Sequence, residues 1–247
     1  MTKAVGIDIG GTGIKGAMVN VDTGELLSDR IKLDTPEGGQ PDDIVKVVVK
    51  IVEQLAAGAD IKVGVCFPAI VIKGKTMSAA NVSKKWIGLD AEKLFEKALK
   101  RDIRFVNDAD AAGVAEVRFG AAKGVEGVVI LTTLGTGIGS ALIYNGVLVP
   151  NTELGHLEVE GVDAEKRASY MAKERDDLSW EKWAKRLQKY YSVVEALFSP
   201  DLIIVGGGVS KNYEEFLPLL KVRAPIVPAM LRNNAGILGA AALAVHE

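Results

Sequence analysis

The segment Asp8-Ile9-Gly10-Gly11-Thr12-Gly13-Ile14-Lys15-Gly16 sets a carboxylate, a hydroxyl and a lysine among glycines. Glycines let backbone N–H groups approach an anion closely and form a nest around it. Thr12 adds a hydroxyl and Lys15 a point charge. The order is not a Walker loop, since no Gly-Lys-Ser/Thr follows at the required place. It is not a dinucleotide fingerprint either, since a strand rather than a helix is expected next. A second loop, Thr132-Thr133-Leu134-Gly135-Thr136-Gly137-Ile138-Gly139-Ser140, repeats these ingredients without the lysine. A third, Gly206-Gly207-Gly208-Val209-Ser210, follows a strand and precedes a helix expected at Tyr213, and a helix N-terminus beside open glycines suits a phosphate or a flat ring. Each loop alone reads equally well as a hairpin turn or a close helix–strand contact. Three in one chain point to a polyphosphorylated ligand lying in a cleft.

Asn107-Asp108-Ala109-Asp110 stands between an expected strand and an expected helix. Asp108 or Asp110 can cap that helix, or act as a general base at the C-terminal end of an α/β strand. Glu153-Leu154-Gly155-His156, with Glu158 close behind, places a carboxylate and an imidazole three residues apart. The alternatives are a hydroxyl-binding cluster and a structural histidine. A metal at His156 has no second histidine or cysteine nearby, the other histidine being His246. From Ile61 to Leu89 the chain carries Lys62, Lys73, Lys75, Lys84 and Lys85 and no acid, +5 within a total of −2. Such a run is a solvated face or a track for an extended anion.

The elements that must position these residues repeat. Gly11-Thr12-Gly13-Ile14 recurs as Gly135-Thr136-Gly137-Ile138, and Ala17-Met18-Val19 lies over Ala141-Leu142-Ile143 at the same offset of about half the chain. Each copy reads as strand, turn, strand, so a duplicated α/β unit is expected, two similar domains facing each other across a cleft. Around the copies, strands and helices alternate. Helices are expected over 43–57, 89–100, 111–119, 180–198 and 234–245, and buried strands over 63–67, 103–106 and 202–205. The expected boundary falls at Asn107, giving a small domain 1–107, a larger domain 108–233, and a final helix 234–247.

Composition agrees with such a frame. The chain has 247 residues, 48% apolar and 25% charged, which excludes a disordered chain, a collagen and a disulfide scaffold. A net charge of −2 makes nucleic acid a poor partner. The single cysteine, Cys66, rules out an intramolecular disulfide and any zinc site built from two or more cysteines. Met1-Thr2-Lys3 runs straight into an apolar strand without a signal-peptide pattern, and no uncharged run reaches the roughly 18 residues of a membrane span. A soluble cytoplasmic protein without membrane contact is expected.

Taken in order, Asp8-Ile9-Gly10-Gly11-Thr12, Asn107 to Asp110, Leu134 to Gly139, Glu153 to His156, Gly206 to Gly208 and Asn234-Ala235-Gly236-Ile237-Leu238-Gly239-Ala240 resemble the motifs of the ROK family of sugar kinases. They span almost the whole chain. The segments 107–113, 131–141 and 201–211 are most similar to the short polyphosphate glucokinase branch of that family.

The resemblance implies an actin-like, duplicated ribonuclease-H-like α/β fold whose final helix packs back on the first domain. It implies phosphoryl transfer from inorganic polyphosphate, with ATP as a possible second donor, to the 6-hydroxyl of glucose, with magnesium, in a homodimer. Asp108 falls on the catalytic base, and Asn81, Asn107, Glu153 and His156 fall on sugar-binding positions. Glu165, or alternatively Glu158, stands in for a further sugar-binding glutamate. Asp8, Gly10, Gly11, Thr12, Gly13, Lys15, Thr133, Gly135, Thr136, Gly137, Gly207 and Gly208 fall on the phosphate-donor loops, with Asp8 also near magnesium. Lys84 and Lys85 are the candidates for a polyphosphate track. Many family members carry a cysteine-rich zinc motif after the Glu-x-Gly-His element; residues 159–170 contain no cysteine, so no zinc is expected. An ATP-only hexose kinase and a non-catalytic sugar sensor are the competing readings.

Overall fold

The computed structural model describes residues 1–56, 60–80 and 82–246. The chain separates into two compact units, Met1–Ala115 with Asn234–Glu247, and Glu116–Asn233.

In the first unit, β1 (Lys3–Ile9) and β2 (Gly13–Asn20) form an antiparallel hairpin around the first glycine loop, with Ile9 opposite Ile14. The short strands β3 (Glu25–Leu26) and β4 (Ile31–Asp34) pair with β2. On the other side of β1 runs β5 (Lys62–Phe67). A small ribbon follows, β6 (Val71–Ile72) with β7 (Lys75–Thr76), and then β8 (Ile103–Asn107). Strands β1, β5 and β8 are parallel, in the order β3-β2-β1-β5-β8. Helices α1 (Pro41–Ala56), α2 (Ala91–Leu99) and α3 (Asp108–Phe119) complete this part of the chain. Proline at the first position and Asp42 and Asp43 in the first turn favour the start of α1. Its Ile44, Val45, Val48, Ile51 and Val52 recur at helical spacing and are all buried, each contributing about 1.5–3 kcal/mol.

The second unit repeats the plan. Strands β9 (Val128–Leu134) and β10 (Ile138–Tyr144) form a hairpin around the second glycine loop, and β11 (Val147–Val149) extends it. A two-stranded ribbon, β12 (Glu158–Val159) with β13 (Val162–Asp163), leads into the short helices α4 (Glu165–Ala168) and α5 (Tyr170–Arg175) and the long α6 (Trp180–Phe198). Strands β14 (Leu202–Gly206) and β15 (Ile226–Pro228) run parallel to β9, in the order β11-β10-β9-β14-β15. Ser179 caps α6 by accepting from the Lys182 N–H at 3.4 Å. The Trp183, Leu187, Tyr190, Tyr191 and Val194 face of α6 is fully buried. The duplication legible in the two Gly-Thr-Gly-Ile copies is therefore a duplication of topology: an antiparallel hairpin flanked by two parallel strands.

Three sequence expectations are corrected. Helix α3 begins at Asp108 itself, because Asn107 is its cap, its Oδ1 accepting from the Asp110 N–H at 2.9 Å. Residues Gly208–Glu215 form tight 3₁₀ turns rather than a helix at Tyr213. The division into units falls inside α3, after Ala115 rather than after Asn107, and the first unit is the longer one.

The physical reason for that boundary is the last helix, α7 (Ala235–His246), which packs on β1, β5 and β8. A methyl group on Gly6 would strike the Ile237 carbonyl, one on Gly64 the Ala240 carbonyl, and one on Gly239 the Ala111 carbonyl of α3. Backbone thus lies directly on backbone, and the first turns of α3 are held by α7. Among the described residues, no helix is long and apolar enough to cross a membrane.

Gly64→Ala should therefore destabilise the protein by at least about 1–3 kcal/mol, the usual cost of overpacking. Gly208→Ala, where an added methyl meets nothing within 4 Å, should be near neutral. Urea denaturation of the two variants checks the contrast.

Candidate active-site residues

In the first unit, parallel register gathers the candidates at one sheet edge. Asp8 lies opposite Cys66 on β5, Cys66 opposite Val106 on β8, and Phe67 opposite Asn107. The C-terminal ends of β1, β5 and β8 thus present Asp8, Cys66 and the Asn107-Asp108 pair side by side. Asp8 also lies across the hairpin from Lys15, whose Nζ sits 3.2 Å from Asp8 Oδ2. Lys15 is therefore held by an acid rather than projecting alone. Gly11 and Thr12 are exposed at the tip of the loop, which is closed by the Gly10 N–H donating to Gly13 O at 3.0 Å and tied down by the Thr35 hydroxyl donating to Gly10 O at 2.6 Å. The Cys66 sulfur lies 3.6 Å from both Asp8 Oδ1 and Gly236 O, which share its one S–H. Burial, reinforced by the Asp8 and Asp108 charges, pushes this thiol well above its ordinary pKa, so it stays protonated.

Asn107 is buried and spends its amide on structure, donating to Ala69 O at 3.0 Å while its oxygen caps α3. One N–H and one lone pair remain for a ligand. Asp108 is half-buried at the first position of α3, and its Oδ1 accepts from the Ala109 N–H at 2.8 Å. Asp110 is buried, which leaves Asp108 as the carboxylate at the surface of that turn. Asn81 lies outside the described residues. Lys84 and Lys85 are exposed on a 3₁₀ turn held by Trp86, whose indole N–H donates to Gly39 O at 2.9 Å. Gly39 and Val82 line a cavity of about 310 Å³ together with Gly11 of the first glycine loop. Lys62 stands apart from the other lysines, at the opposite end of β5 from Phe67.

The second unit brings its two glycine loops together. Gly206 pairs with Thr133 at the parallel strand ends. Gly207 has φ 83°, and a side chain there would run into the Leu134 backbone, so only glycine fits. Thr136 and Gly208 are exposed beside them. The Glu153-to-His156 turn is pinned to β10 at two points. Ser140 Oγ accepts from the Leu154 N–H at 2.9 Å, and Gly155 packs against the Ile138 carbonyl.

Glu165, at the start of α4, accepts from the Ile138 N–H at 3.2 Å and lies 4.0 Å from His156 Nδ1. The carboxylate rests against Gly137, where a side chain would collide with it. Glu158, the alternative to Glu165, is exposed on β12. Burial raises the Glu153 carboxyl above its ordinary pKa; nearby His156 opposes this and Glu165 adds to it.

Asp163 is the residue that sequence reasoning missed. Its Oδ2 lies 3.0 Å from His156 Nδ1 and its Oδ1 accepts from the Glu165 N–H at 3.2 Å, so one carboxylate orients both candidate sugar ligands. The signal was a Glu160-Gly161 turn between two short alternating segments, which folds the ribbon and returns Asp163 to His156.

The Asp163 hydrogen bond is the largest cause of a His156 pKa above its ordinary 6.5, with Glu165 and Glu153 adding to it. Since the folded value is raised, this contribution to stability is fully present below about pH 6.5 and is lost as pH rises through the folded value. Asp163→Asn should lower the His156 pKa, followed by proton NMR, and should cost more stability in mildly acidic than in alkaline solution.

The ROK family model matches residues 4–173. The polyphosphate glucokinase of Mycobacterium tuberculosis is 48% identical over 98% of this chain and 91% of its own length. The crystal structure of the inorganic polyphosphate/ATP-glucomannokinase of Arthrobacter sp. strain KM is 52% identical and superimposes with a TM-score of 0.92, covering 98% of this chain and 97% of that one. A ROK family glucokinase of Streptomyces griseus, solved with glucose and AMPPNP, is 25% identical with a TM-score of 0.84, covering 99% and 100%. The fold is the actin-like α/β fold of these kinases, and the chain belongs to the ROK family.

Proposed function

We propose that the protein is a glucokinase that transfers the terminal phosphoryl group of inorganic polyphosphate to the 6-hydroxyl of glucose, giving glucose 6-phosphate, and that ATP serves as a second donor. The observation that carries this reading is the ordered motif series from Asp8 to Ala240, lacking only the cysteine-rich motif, in a chain 48% identical over 98% of its length to a polyphosphate glucokinase. Phosphoryl transfer requires an oriented nucleophile and stabilisation of phosphoryl charge rather than covalent help from the protein. Asp108, half-buried where β8 passes into α3, takes the 6-hydroxyl proton as oxygen attacks phosphorus. In the second unit, Glu153 and His156 hydrogen-bond ring hydroxyls, with Glu165 beside them. Asn107 offers its remaining N–H and lone pair to the sugar. The exposed glycine loops and Thr12 and Thr136 receive the donor's phosphates.

Asp8, a lone carboxylate at the strand ends beside the first glycine loop, would hold magnesium together with donor phosphates and water, the way this ion is commonly bound. Bound there, the ion would offset charge on the phosphoryl oxygens. No structural zinc enters this reading, and a cytoplasmic homodimer is its natural setting. Mannose is a second acceptor on this reading, favoured by the 52% identity to a protein described as a glucomannokinase.

The direct test is glucose phosphorylation with ATP-free polyphosphate, with ATP, and with neither. Activity confined to ATP would reduce the protein to an ATP-only hexose kinase. Sugar binding without transfer from either donor would make it a sensor.

Asp108→Asn keeps the Ala109 hydrogen bond and removes the base, so kcat should fall by about 10²- to 10⁴-fold while glucose still binds. A near-normal kcat would remove Asp108 from the role. The donor question has its own test. A long polyanion bound through charge should lose affinity with salt more steeply than ATP. Lys84→Ala with Lys85→Ala should weaken long polyphosphate more than ATP, measured as the KM of each donor. An equal effect on both, or none, would leave these lysines as solvated surface.

A further inference from the structure

Behind α4, the second unit holds a cavity of about 340 Å³ whose charged lining is Glu160, Arg167, Arg186 and Lys189, three cations to one acid. The proposed mechanism uses none of these side chains. Lys189 Nζ lies 2.7 and 2.8 Å from the two Glu160 oxygens, and Arg167 Nη1 lies 3.7 Å from Glu160 Oε2. The cations are thus already arranged around an oxyanion, the chain's own carboxylate. Arg186 is fixed on the far side, donating to Asp176 Oδ2 at 2.6 Å and to the Arg167 carbonyl at 3.2 Å. Arg175 also donates to Asp176, so the wider group holds four cations against two acids. Tyr190 lines the same cavity, and its hydroxyl is buried without a hydrogen-bond partner among the described residues. Its neighbour Tyr191 is satisfied by Thr132 at 2.7 Å. A buried hydroxyl without a partner is rare and marks a place where a ligand or water belongs.

We propose that this cavity is a second phosphoryl-binding site, in which Glu160 acts as an intramolecular competitor that a phosphoryl oxyanion displaces. Arginine forks and a lysine point charge are the side chains that recognise tetrahedral oxyanions. Glu160 can leave. It is half-exposed, and it stands at the ribbon turn with φ 53°, next to Gly161. Lys189 and Arg167 are half-exposed as well, so replacing them opens no core. The phosphoryl group has two possible sources, a small phosphate monoester or a distant stretch of a polyphosphate chain. The proposal concerns binding and stands or falls independently of the kinase reaction.

The sign of one substitution tests it. Glu160→Gln removes the competitor and one negative charge, so calorimetric titration of the full chain with tripolyphosphate or glucose 6-phosphate should reveal a site that binds several-fold more tightly than in the unaltered protein. Lys189→Gln with Arg167→Gln should abolish that site and leave kcat with ATP unchanged. Tightening towards glucose 6-phosphate alone assigns the site to a monoester, and tightening towards tripolyphosphate alone assigns it to polyphosphate. Unchanged or weakened binding of both by a folded Glu160→Gln protein overturns the proposal. Should that variant not fold, retention of every phosphoryl site by the Lys189/Arg167 double variant overturns it equally.

Discussion

Backbone contact between α7 and the first sheet is the constraint on which the candidate catalytic edge depends. Gly6, Gly64 and Gly239 let the last helix lie against β1, β5 and α3 without intervening side chains. The start of the same helix closes on the C-terminal ends of β1 and β5. A methyl on Gly236 would stand 3.0 Å from the Asp8 carboxyl carbon and 3.2 Å from the Cys66 sulfur. Residues more than two hundred positions apart thus fix Asp8, Cys66 and the turn bearing Asp108 against one another. Close-packed interiors transmit such displacements, so a change far along α7 is felt at that edge.

The second unit reaches comparable order by polar means. Ser140 and Gly155 lock the Glu153–His156 turn to β10, Glu165 joins that turn to the Gly137–Ile138 backbone, and Asp163 orients His156 and Glu165 together. Within one unit, the Glu153–His156 turn and the second glycine loop are therefore joined through Glu165, itself positioned by Asp163.

The same hairpin and glycine loop, used twice, has been given different chemistry. In the first copy the loop carries Lys15 paired with Asp8. In the second, Glu165 occupies the space beside Gly137, and Gly207 approaches the Leu134 backbone. One copy thus carries a lysine–aspartate pair across its hairpin, the other a lone carboxylate held against its loop backbone. Duplication supplies the frame, and the residues just beyond each loop supply the function.

Periodicity and local motifs alone determined much of this protein: the alternation of strands and helices, the repeat, the glycine loops, and α6 to the residue, because these are encoded in neighbouring side chains. Asp108, Glu153 and His156 stand out as candidates for the same reason, each lying in a compact motif. Tertiary structure alone decided that Asn107 caps α3, that Lys15 is held by Asp8, and that Gly208–Glu215 coils into tight turns. It also decided that the boundary runs through α3. Asp163 was illegible as a partner of His156 because their contact depends on the ribbon turning at Glu160-Gly161. Linear spacing reports which side chains are near along the chain. Strand register, a helix lying on glycines and a carboxylate shared by two residues are settled only when distant segments pack.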